Sequence, residues 1–243
     1  MRLRSVAAVA ACALAWLTPT ESHALDLVEF GVGPMVAYGA NFLGKPGDKT
    51  IGGKPAGDVY PGFGGTSFGY GLMLDVRVIK FLGLEVDFIK RTSRGKGDID
   101  LTVNGVVYPF EVEIQHDATQ IPVLLKGVMP VPLFAPYVLV GKEFIRASGA
   151  AATYSSKDGR GQLAPVGGYV DNYSYWTFGV GAEVKLPIPG FDLRIPISAR
   201  GSFNPSISDK LEDRVRIAGN TISAFDTKFQ YQVMGTLGVA GYF

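Results

Sequence analysis

Residues 68–79 read Phe-Gly-Tyr-Gly-Leu-Met-Leu-Asp-Val-Arg-Val-Ile, and this stretch decides the fold class. Every second position from Phe68 to Val78 carries a large apolar side chain, whereas the positions between them carry small, charged or other residues, such as Asp75 and Arg77. A period of two indicates a β-strand, because successive side chains of a strand point to opposite faces. The stretch therefore predicts a strand with one apolar and one polar face.

The same alternation recurs along the chain and predicts eight strands in all. The other clear segments are 84–89, 175–186, 192–203 and 228–243, and the weaker ones are 27–42, 116–129 and 136–148. Long connections are expected at 43–65, 94–115, 149–172 and 204–225, and short ones at 81–82, 130–135 and 187–191. Asn104-Gly105 predicts a hairpin turn inside the second long connection, between strands at Asp98–Val103 and Val106–Ile114. We therefore expect an all-β fold, an eight-stranded antiparallel up-and-down β-barrel.

Composition excludes several classes of function. The chain has 243 residues, of which 47% are hydrophobic, and 23 basic residues balance 22 acidic ones. A formal charge of +1 gives no basic footprint for nucleic acid. One cysteine and two histidines argue against a disulfide framework, a cysteine zinc site or a histidine metal cluster. We expect no cofactor and no metal.

The N-terminus has the pattern of an export signal. Two arginines precede an apolar run at 6–17, and small residues precede a cleavage point after Ala24. The run is too short for a transmembrane helix, which needs about 20 apolar residues. We expect a cleaved signal peptide at 1–24, which removes Cys12, and an outer-membrane β-barrel domain at 25–243.

Alternation alone does not say which face of the barrel points outward. A water-soluble carrier of the lipocalin type has its apolar face inside, whereas a transmembrane barrel has it outside. The polar face carries balanced charges, and charges inside a small barrel must be paired. The lumen ion-pair candidates are Asp75, Arg77, Glu85, Asp87, Glu143, Glu183, Lys185, Arg194 and Arg200, with Arg91, Lys126 and Asp192 on the same face. This balance favours a transmembrane barrel.

Aromatic residues near the strand ends of the apolar face also favour a membrane. They predict the interfacial girdle of a membrane barrel. The predicted girdle residues are Phe42, Phe68, Tyr70, Phe88, Trp176, Phe178, Phe203, Phe229, Tyr231 and Phe243. Lys90 and Lys142 are exceptions on this face, and Lys142 predicts a register slip at a bulge near Gly141.

The last residues, Gly241-Tyr242-Phe243, resemble the C-terminal sorting signal of Gram-negative outer-membrane barrels. Residues 75–86 resemble the second-to-third-strand hairpin of the small outer-membrane β-barrel family, typified by OmpX and the OmpA membrane domain. Residues 136–141 resemble the start of that family's fifth strand. The resemblance implies a monomer in the cell outer membrane, with Tyr242 and Phe243 as an assembly signal for the barrel assembly machinery and with lipopolysaccharide as a lipid partner.

No catalytic constellation is found in the sequence. His116 has no suitable serine nearby and is expected to be solvated at the edge of a loop. Basic residues of the loops are candidates for binding lipopolysaccharide phosphates. They are Lys45, Lys49, Lys54, Arg214 and Arg216.

Three functions remain open at this point. The leading one is a non-enzymatic structural or surface-interaction protein with four long outer loops and an ion-paired lumen. The second is a narrow channel or porin-like transporter of small or hydrophobic solutes, similar to OmpW, favoured if Gly69, Gly71, Gly179 and Gly181 leave space in the lumen. The third is a soluble lipocalin-like carrier.

Overall fold

The computed structural model describes residues 28–47, 50–51, 54–55, 60–103, 106–160, 166–218 and 221–243. The predicted signal peptide and the predicted Asn104-Gly105 turn lie outside the described residues. Within them, no helix is long and apolar enough to cross a membrane.

The described chain is almost entirely β-structure, with one short 3₁₀ helix at Leu211–Asp213. The long strands are β1 (Val28–Leu43), β4 (Phe63–Val78), β5 (Leu82–Val103), β6 (Val106–Val128), β7 (Phe134–Ser156), β9 (Tyr173–Ile188) and β10 (Phe191–Phe203). The last long segment is divided by a break at Val239 into β13 (Tyr231–Gly238) and β14 (Ala240–Tyr242). Short strands in the connections are β2 (Thr50–Ile51), β3 (Lys54–Pro55), β8 (Val166–Tyr169), β11 (Val215–Ala218) and β12 (Thr221–Asp226).

Antiparallel pairing joins the long strands into an eight-strand ring. β1 pairs with β4 on one side and with β13 and β14 on the other, so the first and last strands are neighbours. The remaining neighbours are β4–β5, β5–β6, β6–β7, β7–β9, β9–β10 and β10 with β13 and β14. The all-β fold is thereby confirmed, and its long strands pair in an eight-strand ring.

Burial around the ring is inverted relative to a water-soluble protein. In β4, Phe68 is 55% exposed and Leu72 is 54% exposed, whereas Asp75 and Arg77 on the opposite face are at most 2% exposed. Apolar residues cover the outside and charged residues fill the inside. An apolar outer surface is stable only when the surrounding solvent is itself apolar.

The first strand begins and the last strand ends on the side of the short turns. The Phe30 amide donates to the Phe243 carbonyl at 3.1 Å, and the Phe243 amide donates to the Phe30 carbonyl at 2.9 Å. The turns between β4 and β5, between β6 and β7 and between β9 and β10 are on the same side. This side is called the turn side below, and the opposite side the loop side.

Exposed aromatic residues mark both edges of the apolar surface, as expected at the two interfaces of a bilayer. The turn-side aromatic ring consists of Phe30, Phe81, Phe134, Phe191 and Phe243. The loop-side aromatic ring consists of Phe42, Phe68, Phe88, Phe144, Trp176, Phe203 and Tyr231. The outward surface between these rings is called the apolar band.

Strands β5, β6 and β7 continue far beyond the apolar band, so the expected long connections at 94–115 and 149–172 are wrong in part. The hairpin strands expected at Asp98–Val103 and Val106–Ile114 are present as the ends of β5 and β6, which pair with each other. In β6, even-numbered residues point inward throughout, yet the apolar residues change face. Ile121, Val123 and Leu125 point outward, whereas Val112 and Ile114 are fully buried inside. A search for one continuous apolar alternation divides such a strand into two segments. The face that carries the apolar residues changes where the strand leaves the apolar band.

Two further expectations are wrong. Phe229 is 1% exposed and points inward, because residues 227–230 are not a strand and the alternation of β13 begins only at Tyr231. No register slip occurs near Gly141: the irregularity between β6 and β7 lies between Asp117 and Ala118. Lys142 faces outward, and its Nζ lies 4.7 Å from the ring centroid of Trp176.

The turn between β4 and β5 uses residues that do not suit its backbone. Ile79 and Lys80 have φ values of 59° and 64°, a left-handed conformation that favours asparagine and glycine in two-residue hairpin turns. Replacing both, as I79N together with K80G, is expected to raise the free energy of unfolding by about 1–3 kcal/mol. Urea titration followed by Trp176 fluorescence measures the change. An unchanged or lower unfolding midpoint would contradict the prediction.

Candidate functional site

The interior of the ring contains equal numbers of buried cations and carboxylates. Five basic and five acidic side chains on its inner face are each at most 6% exposed. They are Arg77, Arg91, Lys126, Arg194 and Arg200, and Asp75, Glu85, Asp87, Glu143 and Glu183. Because a buried charge is costly without a partner, the mutual arrangement of these ten groups determines what the lumen can do.

The layer nearest the turn side centres on Lys126 of β6. Its Nζ lies 2.8 Å from carboxylate oxygens of Asp75, Glu85 and Glu183, so one ammonium joins three carboxylates from three strands. Arg77 pairs with Asp75 at 2.6 Å and also with Glu183. At the turn-side opening, Arg194 pairs with Asp192 and lies 3.0 Å from Glu29.

The middle layer is formed by Arg200 of β10, whose guanidinium spans the ring to β5. It donates to Glu85 at 2.6 Å and to Asp87 at 2.7 Å. Glu85 therefore links this layer to Lys126. The side chains cross the whole interior, since β5 and β10 are not neighbours in the ring.

The layer nearest the loop side is more neutral. Arg91 donates to amide and hydroxyl oxygens rather than to a carboxylate: its partners are Asn41, Ser67, Gln120 and Gln232. The Gln120 amide donates in turn to Glu143 at 2.5 Å. These uncharged partners did not figure among the sequence candidates, because amides and hydroxyls on a polar face carry no distinctive spacing.

Glycines on the inner face leave no open passage. A Cβ at Gly69 would lie 2.6 Å from Ile89 Cγ2, and one at Gly181 would lie 2.6 Å from Tyr137 Cε2. Neighbouring side chains therefore occupy the space that these glycines provide. The alternative that glycines open the lumen loses its support.

The structure brings together eight of the nine lumen candidates, and Lys185 is the exception. Lys185 is half-buried and makes no ion pair within 4.0 Å among the described residues. It lies near the turn-side end of β9, where solvent is close. Lys185 therefore does not join the paired charges of the other eight candidates.

The two residues of the predicted assembly signal point in opposite directions. Phe243 is 52% exposed on the apolar side, whereas Tyr242 is 5% exposed inside the ring. The Tyr242 hydroxyl donates to Asp75 at 2.7 Å and accepts from Arg77 at 2.7 Å. The Arg194 guanidinium lies 3.8 Å from the centroid of the Tyr242 ring. Tyr242 is thus part of the lumen network, a role that its position in the sorting motif did not indicate.

Above the charged layers, an apolar cluster covers the loop side of the ring. The Tyr175 hydroxyl donates to the Phe229 carbonyl at 3.0 Å and marks the transition. The cluster, called the cap below, combines the extended strands with the first and fourth connections. Its buried members are Leu43, Tyr60, Phe63, Ile99, Phe110, Val112, Ile114, Ala152, Leu211, Val215, Phe225 and Phe229. Both mouths of the ring are therefore different: charged pairs on the turn side and an apolar cover on the loop side.

Aromatic and polar contacts hold the cap together. Phe225 packs at 5.8 Å from Tyr60, 6.4 Å from Phe63 and 6.1 Å from Tyr154, as measured between ring centroids. Arg214 donates to the Gly44 carbonyl at 2.7 Å, which joins the fourth connection to the first. Arg214 is only 2% exposed, so its predicted availability to a phosphate is wrong.

Burial keeps the tyrosine hydroxyls of the cap neutral. It raises the pKa of the Tyr60 hydroxyl well above its usual value and raises the pKa of Tyr154 to about 12. His116, just below the cap, is 3% exposed rather than solvated as expected. Burial, together with the charge of Arg91, lowers the pKa of His116 to about 4, so the imidazole is neutral at pH 7.

No protein-family model and no curated protein matches the sequence. Among solved structures, Ail of Yersinia pestis, in complex with the heparin analogue sucrose octasulfate, has 13% identity and a TM-score of 0.36 over 89% of this chain and 99% of Ail. The N-terminal β-barrel domain of Pseudomonas aeruginosa OprF has 10% identity and a TM-score of 0.35 over 88% of this chain and 97% of that domain.

The outer membrane protein OprG of Pseudomonas aeruginosa has 9% identity and a TM-score of 0.35 over 89% of this chain and 94% of OprG. The chain resembles small outer-membrane β-barrels. Because each of these TM-scores lies below 0.5, the membrane placement and function of this chain depend on its own burial pattern and contacts.

Loss of Arg200 leaves the buried Asp87 without a cation and leaves Glu85 with Lys126 alone. R200A is expected to lower the free energy of unfolding by about 3–5 kcal/mol, the cost of breaking a buried pair. Urea titrations of the unaltered protein and of R200A measure the difference.

A surface ion pair provides the control for this prediction. Lys96 lies 2.8 Å from Glu111, and its side chain is 55% exposed. K96A is expected to cost at most about 1 kcal/mol. Equal small losses in R200A and K96A would show that water solvates the lumen charges.

Removing the central aromatic residue of the cap is expected to loosen the fourth connection. F225A removes a ring that is 1% exposed, at a cost of about 3 kcal/mol. Local opening then accelerates trypsin cleavage after Arg216 at least about tenfold. V107A, which alters a side chain 48% exposed on the same side, is the control. Mass spectrometry of the fragments measures the cleavage rate. Equal rates in F225A and V107A would contradict the prediction.

Proposed function

We propose that the protein is a non-enzymatic, monomeric, eight-stranded antiparallel up-and-down transmembrane β-barrel of the outer membrane. Its role is structural or one of surface interaction, through the loop-side cap and the extended strands. The observation that carries the proposal is that the lumen is filled twice over, by interlocked ion pairs and by the apolar cap. A filled lumen does not suit a channel, and an apolar exterior does not suit a soluble carrier.

The reversal of the apolar pattern in β6 supports the membrane placement. Up to Leu125, Val123 and Ile121, the apolar side chains point outward, as they do against lipid. Beyond that point, Ile114 and Val112 point inward, as they do in water. The change occurs between Ile121 and Ile114, close to the loop-side aromatic ring. The outward surface of β6 therefore suits hydrocarbon on one side of this point and water on the other.

The C-terminus supports assembly by the route that the resemblance implies. Phe243 lies on the outer surface of the last strand in the turn-side aromatic ring, accessible to a partner. We propose that Phe243 is the part of the motif that the barrel assembly machinery reads. Tyr242 instead stabilises the finished lumen through Asp75 and Arg77.

Conductance in a planar bilayer tests the plugged lumen. The refolded protein, residues 25–243, is expected to insert stably and to show no steady current. R200A is expected to show brief openings only, because it weakens one layer while Lys126, Arg77 and the cap remain. F225A is expected to stay silent, since the ionic layers below the cap are intact.

Each other outcome points away from the proposal. Steady conductance of the unaltered protein would overturn the plugged lumen and favour the narrow channel. Solubility in buffer without detergent, with no flotation on phosphatidylcholine liposomes, would overturn the membrane placement and favour the carrier.

A further inference from the structure

Three cations on the outer surface lie outside the lumen network and the cap. Lys90 of β5, Lys142 and Arg146 of β7 are exposed on the face that carries the apolar band. None of them makes an ion pair within 4.0 Å with a described carboxylate. Charges on a lipid-facing surface are costly, by about 2–4 kcal/mol at mid-depth and less near the interface. Their presence without partners therefore calls for a ligand.

Strand register places two of these cations in one row. Lys90 pairs with Thr119 of β6, and Thr119 pairs with Arg146 of β7. Two strand spacings separate Lys90 from Arg146, which corresponds to about 10 Å between their backbones. Both side chains are long enough to reach one anion between them, over the Thr119 hydroxyl. Lys142, stacked on Trp176, flanks this row on the turn side.

The cations next to this row are paired, which distinguishes the row itself. Arg94 lies 4.0 Å from Glu113, and Lys96 lies 2.8 Å from Glu111. The nearest acid on β6, Asp117, already accepts from Thr92 at 2.7 Å and from Gln115 at 3.1 Å. Among the described outward-facing cations of β5 to β7, only Lys90, Lys142 and Arg146 therefore lack an ion pair with a described carboxylate.

An apolar row lies directly beneath the cations. Phe88, Ile121 and Phe144 each stand two residues closer to the turn side than Lys90, Thr119 and Arg146. Phe88 and Phe144 are each 46% exposed. The arrangement matches an amphiphile whose phosphate lies above and whose hydrocarbon chains lie below.

The rest of the loop-side edge has no comparable charge. The positions two residues further to the loop side than Phe42, Phe68, Trp176 and Phe203 are Gly44, Thr66, Ser174 and Pro205. A ring of basic residues around the whole edge would suit general attraction to an anionic surface. Cations on β5 and β7, on either side of Thr119 in β6, instead indicate one localised site.

We propose that Lys90, Thr119 and Arg146 form a binding site for the phosphate of an outer-leaflet glycolipid, whose acyl chains lie along Phe88, Ile121 and Phe144. The site rests on the proposed function, since it requires the apolar band to lie in a bilayer. An arginine and a lysine converging on one phosphate give charge-assisted hydrogen bonds. The site differs from the loop lysines and arginines predicted from the sequence.

Titration with diphosphoryl lipid A tests the site. The protein is folded in non-ionic detergent micelles, and the fraction carrying one lipid A molecule is measured by native mass spectrometry. Binding is expected to saturate at one molecule per barrel. The double variant K90Q/R146Q is expected to bind about 25-fold more weakly, roughly fivefold for each cation.

The matched control is R94Q/K96Q, which removes the same charge from the same side of the molecule but from paired residues. It is expected to change affinity less than about twofold. Phosphate-free lipid A is expected to bind the unaltered protein as weakly as diphosphoryl lipid A binds K90Q/R146Q.

Two results would overturn the site. One is K90Q/R146Q binding within twofold of the unaltered protein, and the other is an equal loss in both double variants, which would indicate net charge alone. Flotation of all variants on liposomes is measured in parallel. Failure to float would overturn the proposed function, whereas normal flotation with unchanged lipid A binding would overturn only the site.

Discussion

Pairing of charges inside the ring is the constraint on which the rest of the structure depends. Lys126 contacts Asp75, Glu85 and Glu183, and each of these carboxylates has a second cation in Arg77 or Arg200. Removing any one of these groups leaves an unbalanced charge among side chains that are at most 2% exposed. The strands must therefore stand in one register around the ring, because a slip of one residue would turn the charges towards the apolar exterior.

Two kinds of interaction close the interior of the ring: ion pairs in the lumen and apolar contacts in the cap. Ion pairs are directional and fix the identity of the strands that face each other. The cap is stabilised instead by buried apolar surface, with Phe225, Tyr60 and Phe63 packed against extensions of the ring strands. This division follows the surroundings. Apolar burial stabilises the part of the chain that lies in water, but it provides little inside a lipid-embedded wall, where the exterior is already apolar.

Much of the fold could be predicted from sequence because each ring strand repeats a simple alternation. Asp75 and Arg77 could be assigned to the inner face from their phase relative to Phe68 alone. Their partners could not, since Arg77 and Glu183 are 106 positions apart and meet only through the ring. Val112 and Ile114 were hidden for a different reason. They point inward like the other even-numbered residues of β6. Apolar residues of this strand point outward in the membrane but inward beyond it, so a search for one continuous apolar alternation divides the strand. The cations at Lys90 and Arg146 were visible as exceptions, but only register shows that they share a row.

The last two residues connect chain length with cooperativity of folding. β14 closes the ring against β1, and its Tyr242 supplies a hydroxyl to Asp75 and an aromatic face to Arg194. The turn-side layer is therefore incomplete until the chain has been made to its end and the first and last strands have met. Loss of Tyr242 therefore removes a hydroxyl from the lumen network as well as a residue of the C-terminal motif. Completion of the turn-side layer and pairing of the first strand with the last depend on the same short segment.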